Sequence, residues 1–280
     1  MSIIDKALWI IERNSGRALT LVGIADACGV SRSHLANAFV GSTGWPVMKY
    51  LRSRRLTQAA EALARGAPDI LTVALDAGYA SHEAFTRAFR DAFGMTPEQV
   101  RERGGIEGLS LVHPTGLSRR PDAPLEHPRV VEGEAIRAVG LARRHRFDAL
   151  IEIPRHWQAF MAEIGAIPDR SDSIPVGFVH AADDDASFEY VCAAEVKRFG
   201  PRVPAGMTAI EVPPRPYAVF EHHGHVSTLF DTHAAIWSRA LPALGRTPAD
   251  APVLERHLEH FDPGTGEGGV AVWVPLEAGR

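Results

Sequence analysis

Cysteine is scarce in this chain: Cys28 and Cys192 are the two it has. They stand far apart, with no C-x-x-C partner. That excludes a cysteine-rich zinc module or a disulfide scaffold, and the expected setting is a reducing cytoplasm. Long apolar runs are missing too. No stretch approaches the ~18–20 residues of a membrane span. The opening MSIIDKALWIIERNSG carries Asp5 and Glu12 within its apolar stretch and has no basic leader with a cleavage site, so a signal peptide is not expected. The histidine cluster at His222, His223 and His225 lacks a nearby cysteine or a clearly placed acid to complete a tetrahedral set. It reads as a strand end running into a glycine turn, with His223 and His225 on one strand face, and no metal or cofactor is expected. Asp183–Asp185 read as a solvated hairpin loop without a role.

A strong charge of one sign is also lacking. The net charge of −4 speaks against a nucleic-acid binder until the halves are separated. Residues 1–107 hold 13 Lys and Arg against 11 acids, net +2, whereas residues 108–280 hold 17 against 23, net −6. No acid occurs between Asp26 and Glu61, while Arg32, Lys49, Arg52, Arg54 and Arg55 all do. Phosphate attraction follows the local field, and here that field is basic. With 45% hydrophobic residues over 280, the chain can bury a sizeable core, and its length implies two domains.

Residues 1–107 read as helical throughout. Ile4, Ala7, Leu8 and Ile11 recur at helical spacing, and the long helix in WPVMKYLRSRRLTQAAEALARG stops at Gly66 and Pro68. A pattern then occurs twice. Ile24, Ala25 and Gly29 match Val73, Ala74 and Gly78 at an offset of 49; Ser31, Leu35, Ala38, Phe39 and Gly44 match Ser81, Phe85, Ala88, Phe89 and Gly94 at 50. The extra residue, Ala80, falls in the turn. A helix, a tight glycine turn and a serine-capped second helix make a helix-turn-helix, whose second helix fits a major groove ~12 Å wide. Thr96, Pro97 and Gln99 spell a further capped helix start.

YLRSRRLTQAAEAL followed by GYASHEAFTRAFRDAFGMTPEQVR resembles the DNA-binding domain of AraC/XylS-family transcription regulators, over about 100 residues. The resemblance implies an all-α domain whose two helix-turn-helix units enter successive major grooves of duplex DNA, so that a monomer suffices. It places Arg32, Ser33, Ala36 and Asn37 on the base-facing side of the first recognition helix, and His82, Glu83, Thr86 and Arg87 on that of the second. Arg87 suits bidentate contact with guanine. Lys49, Arg52, Arg55 and Arg90 suit phosphates, while Arg54 can equally pair with an acid inside the domain. The chain departs from the family at Val40, where a basic residue often follows the core phenylalanine. RNA polymerase is a further partner implied by the family.

Residues 108–124 lie in a Gly- and Pro-rich stretch and read as a linker. From residue 125 to 280 the texture turns to strands and helices in mixture. Strands are expected in EAIRAVGLA, IPVGFVHAA, FEYVCAAEV, MTAIEVPPRPYAVFEHHG, PVLERHLEHF and GVAVWVP, with helices in PRHWQAFMAEIG and VSTLFDTHAAIWSRALPALG. Strand, helix and further strands, occurring twice, suggest a duplicated α+β unit. These segments, in this order, resemble a GyrI-like effector domain: two strand-helix-strand units on an antiparallel sheet, with an apolar groove for aromatic, often cationic, small molecules. Glu255 matches the family's pocket glutamate. Phe178, Glu189, Tyr190, His257 and Trp273 are expected to line the groove with it, where aromatic walls and one buried carboxylate suit a flat cation. Trp157 and Trp237 are expected to pack helix on sheet. The expected function is a DNA-binding transcription regulator that senses a small apolar, aromatic or cationic effector. The alternative is a small-molecule hydrolase, using Glu189 or Glu255 beside Tyr190 to activate water.

Overall fold

The computed structural model describes residues 3–14, 16, 18–113, 124–146, 152–180 and 187–278; Asp183–Asp185 lie outside them. The chain divides into two compact units, one of Met1–Val30 with Trp45–Ser118, the other of Ser31–Gly44 with Arg119–Arg280.

The first unit is helical: α1 (Ile3–Asn14), α2 (Leu21–Cys28), α4 (Val47–Ala64), α5 (Ile70–Asp76), α6 (His82–Phe93) and α7 (Pro97–Arg103). The turn that ends α2 and the turn that ends α5 are built alike. Gly29 donates to the Asp26 carbonyl and Val30 to that of Ala25; Gly78 donates to Leu75 and Tyr79 to Ala74, the same bonds 49 residues on. Both glycines take positive φ, 76° and 82°, where a Cβ would be strained. Ser81 then caps α6 by accepting from the Ala84 amide at 3.2 Å. Phe85 and Phe89 face inward from α6 and are fully buried with Leu63, Ala74 and Val100. The Phe85, Phe89 and Phe93 rings follow one another at 5.4 and 4.8 Å. Thr96 and Gln99 form a reciprocal capping box at the start of α7.

Packing in this unit runs past residue 107. Ile106, Leu109 and Leu111 rest on the same core. Val112 donates to Thr57 at 3.0 Å, and its carbonyl accepts from Arg54. Arg54 is buried and grips Glu12 through Nε and Nη2, both at 2.9 Å, while the Tyr50 hydroxyl donates to the same carboxylate. Arg54 is therefore an internal ion-pair residue of the unit.

In the second unit, α3 (Arg32–Thr43) precedes an antiparallel sheet of β1 (Arg129–Gly133), β2 (Ile136–Arg146), β3 (Val176–His180), β4 (Ser187–Glu195), β5 (Thr208–Val212), β6 (Arg215–His222), β7 (Val253–His257) and β8 (Val270–Pro275). Helix α8 (Ile153–Glu163) follows β2, and α9 (Leu229–Ala235) follows β6, continuing through a π-helical turn, Ile236–Ala240, into α10 (Leu241–Leu244). The strand order is β1-β6-β8-β7-β3-β4-β2-β5. Exchanging β1–β4 for β5–β8 reverses this order into itself, so the sheet is a duplication with a local twofold between β3 and β7. The leading strand of each half is swapped onto the other: β1 pairs with β6 and β5 with β2. The expected duplicated α+β unit is thus present. β1 was not among the expected strands, and β6 ends at His222, so His223 and His225 do not share a strand face.

Candidate functional site

Glu255 sits near the middle of the sheet, on β7. Paired residues in an antiparallel sheet share a face and the face alternates along each strand. Glu255 pairs with Gly177 and Val272, Gly177 with Cys192, and Tyr190 with Val179, which puts Glu255, Tyr190 and His257 on one face. Phe178, Glu189 and Trp273 fall on the other. There, Phe178 joins a core with Val191, Tyr217 and Leu254; Trp273 packs edge-on to Tyr217 under the Arg256 guanidinium, and Glu189 pairs with His180 at 2.9 Å. The six residues expected around one groove therefore separate into two groups of three. A twofold normal to the sheet keeps the face, and the β3 residues of the paired stretch that share the Glu255 face are Gly177 and Val179. The duplication carries its central carboxylate in one half only.

Around Glu255 the helices complete the site. Tyr190, fully buried, donates from its hydroxyl to Glu255 Oε2 at 2.7 Å and accepts from the Trp157 indole of α8 at 3.2 Å. His233 of α9 donates from Nε2 to Glu255 Oε1 at 2.9 Å. Trp157 lies 5.1 Å from the His257 ring, which stacks on Phe261 at 3.9 Å. A Cβ at Gly177 would collide with the Tyr190 hydroxyl, so glycine opposite Glu255 is what lets the phenol reach the carboxylate. Burial disfavours the Glu255 anion, but the hydrogen bond and charge of His233, with the Tyr190 hydrogen bond, outweigh it and hold the pKa below the ordinary glutamate value. Burial, reinforced by the Glu255 charge, pushes the Tyr190 phenol well up, so it remains a donor. Burial lowers the His257 pKa against the pull of Glu255. The site is a buried anion among aromatic rings. Trp157, His233 and Phe261 were missed from the sequence; a tryptophan and a histidine on the apolar sides of their helices were the available signals.

The expected DNA-facing residues are placed as follows. On α6, Glu83, Arg87 and Arg90 are exposed, Thr86 is half-buried, and His82 is turned to Glu98 at 3.2 Å. On α4, Arg52 is exposed, bonding the Met48 carbonyl at 3.3 Å, and Lys49 lies over the Trp45 ring. Arg55 is half-buried, its guanidinium where a Cβ at Gly78 would be. On α3, Arg32 is exposed, Ser33 and Asn37 are half-buried, and Ala36 is buried at 5% exposure. Val40 is buried too. The α3 surface is covered in this structure, because α9 and the π-helical turn pack on it.

A capped double helix-turn-helix joined to a duplicated sheet around a buried acid defines a regulator with a DNA-reading part and a small-molecule-binding part. Residues 24–103 match the helix-turn-helix domain family and residues 126–277 the GyrI-like small molecule binding domain family. The chain belongs to the AraC/XylS-family transcription regulators that carry a GyrI-like C-terminal domain. It is 37% identical to the right origin-binding protein of Escherichia coli (strain K12), over 94% of this chain and 92% of that one. The multiple antibiotic resistance protein MarA of the same strain is 34% identical over 40% of this chain and 86% of its own. Among solved structures, SAV2435 bound to tetraphenylphosphonium covers 55% of this chain and 95% of that one, at 18% identity and a TM-score of 0.43. The relatives are regulators, and the hydrolase alternative gains no support from them. Among the described residues no helix is long and apolar enough to cross a membrane.

Proposed function

We propose that this regulator senses a lipophilic aromatic cation, seated against Glu255 and walled by Trp157, Tyr190, His257 and Phe261. The observation that carries the reading is the ionised, largely buried carboxylate: its side chain is 13% exposed and its partners are hydrogen-bond donors on aromatic scaffolds. An aromatic cation gains charge neutralisation there, and ring contact beside it. Each Glu255 oxygen already holds a hydrogen bond, which suits a counter-ion better than a base that takes a proton from water.

The DNA-reading role falls to α6 through Arg87 and to α3 through Arg32, Ser33 and Asn37, with Arg52 and Arg90 on phosphates. Residues 1–107 form the DNA-binding domain and 125–280 the sensor. The protein works in the cytoplasm, binds DNA as a monomer and acts through RNA polymerase. Response to several drugs is consistent with a site whose selectivity rests on charge and ring contact.

Tetraphenylphosphonium and tetraphenylborate have the same shape and opposite charge, so calorimetry with the full chain separates charge from apolarity. The cation is expected to bind and the anion not, and Glu255→Gln to abolish the difference. Equal binding of the two ions by the wild-type chain would overturn the reading.

A further inference from the structure

Helix α9 faces two ways. His233 bonds Glu255 from it, and the next residue, Ala234, lies against the first recognition helix, α3. The approach is so close that a Cβ on Gly41 would fall 2.8 Å from the Ala234 Cα. One turn on, Trp237 in the π-helical turn meets the His34 ring at 5.5 Å. The Ser33 hydroxyl donates to Asp250 at 2.9 Å, on the segment leading into β7. A cavity of about 20 Å³ lies between these contacts, bordered by Ser33, His34, Asn37, Phe188 and Trp237. Ser33 and Asn37 are two of the positions through which α3 would meet bases. While α9 holds them, α3 cannot enter a groove.

We infer that α9 is an autoinhibitory clamp: His233 occupies the seat of the ligand's positive charge, and a cation that displaces it draws Ala234 and Trp237 off α3. The inference rests on the effector reading above, and deepens it by naming the route from ligand to DNA. His233 already holds the Glu255 oxygen that the ligand's charge would approach, so a ligand that takes its place must dislodge the helix that carries His233. The π-helical turn directly after α9 is an irregular segment of the kind that accommodates helix shifts at functional sites. Burial holds the His34 imidazole down to about 4, so it sits in the contact neutral and adds no charge to it.

The test uses the full chain and a duplex selected from a random pool in the presence of tetraphenylphosphonium. For the wild type, the cation is expected to tighten binding to that duplex by about 5- to 150-fold, the usual range of allosteric coupling. Ala234→Leu, which wedges the contact from the sensor side, is expected to bind as tightly with no cation added and to stop responding to it. A chain carrying Ser33→Cys and Asp250→Cys, a pair whose side chains already touch, supplies the opposite arm by tying α3 to the sensor. Oxidised, it should lose binding to the duplex, and dithiothreitol should restore it. Oxidised and reduced chains binding alike, with the crosslink confirmed by mass, would overturn the clamp. The two readings fail separately: cation and borate binding equally sinks the effector reading, whereas selective cation binding with no change in DNA affinity sinks the clamp alone.

Discussion

Replacing Tyr190 by phenylalanine removes one oxygen and keeps the ring, which isolates what the phenol does for Glu255. In the wild type that hydroxyl gives the carboxylate a 2.7 Å hydrogen bond. A hydrogen bond to a charged group is worth about 1.5–3 kcal/mol, and most of it is lost when the acceptor is protonated. The Glu255 pKa, held below the ordinary value by His233 and Tyr190 against burial, must therefore rise in Tyr190→Phe. Above the carboxylate range both proteins present an anion, and tetraphenylphosphonium should bind them within a few-fold of one another. As pH falls, the variant is protonated first and loses affinity first. Below both transitions the two should differ by roughly 10- to 150-fold, which is the lost hydrogen bond expressed as a ratio of protonation constants. Stability follows the same sign. A depressed carboxyl pKa stabilises the fold above the unfolded value, and that contribution disappears as pH falls through the folded one, so the variant's deficit is largest near neutral pH. Calorimetric titrations from pH 8 down through the acidic limbs of both proteins measure the affinities. Coincident acidic limbs would refute the claim that Tyr190 tunes Glu255.

Arg54→Met should destabilise the helical unit by about 3 kcal/mol, at the lower end for a broken buried pair, because Glu12 keeps 26% of its side-chain surface in solvent. Pairing it with Glu12→Gln should recover part of the loss, as urea unfolding of the two chains would reveal. Arg87→Ala should cost about 1–3 kcal/mol on a selected duplex and relax preference at a single base position, whereas Arg52→Ala should weaken all sequences alike and lower the salt slope by about 1. Fluorescence anisotropy at several salt concentrations distinguishes the two.

The helical repeat was legible because its signals are local. Glycines at positive φ, capping serines and core phenylalanines fix a turn and a helix whatever surrounds them, and Gly29, Gly78, Ser81, Phe85 and Phe89 all take those places. The sheet was legible strand by strand, except for β1. Arg129–Gly133 is short and mostly exposed, and its ladder comes from a strand in the other half. Which aromatics join Glu255 was not legible, because face depends on register across several strands, and a pairing shifted by one residue exchanges Phe178 for Val179. His233 and Trp157 reach the acid through helix docking, a tertiary fact with no spacing signature. For α3 a clue did exist. Ala36, Ala38, Val40 and Gly41 make its surface small and apolar on more than the inward side, the mark of a helix that something else covers.

The exchanged leading strands have a consequence for how the chain is made. β1 leaves the ribosome with nothing to pair with, since its partner β6 is synthesised about 80 residues later. At ~5–20 residues per second that is a wait of roughly 4–16 s. β2 waits in turn for β4 and β5, and β3 for β7. Neither half can finish its own sheet, so the sensor closes late, as one event, when its last strands arrive. Until α9 has emerged its contacts with α3 are missing, so the inferred clamp can close only after most of the sensor has been made.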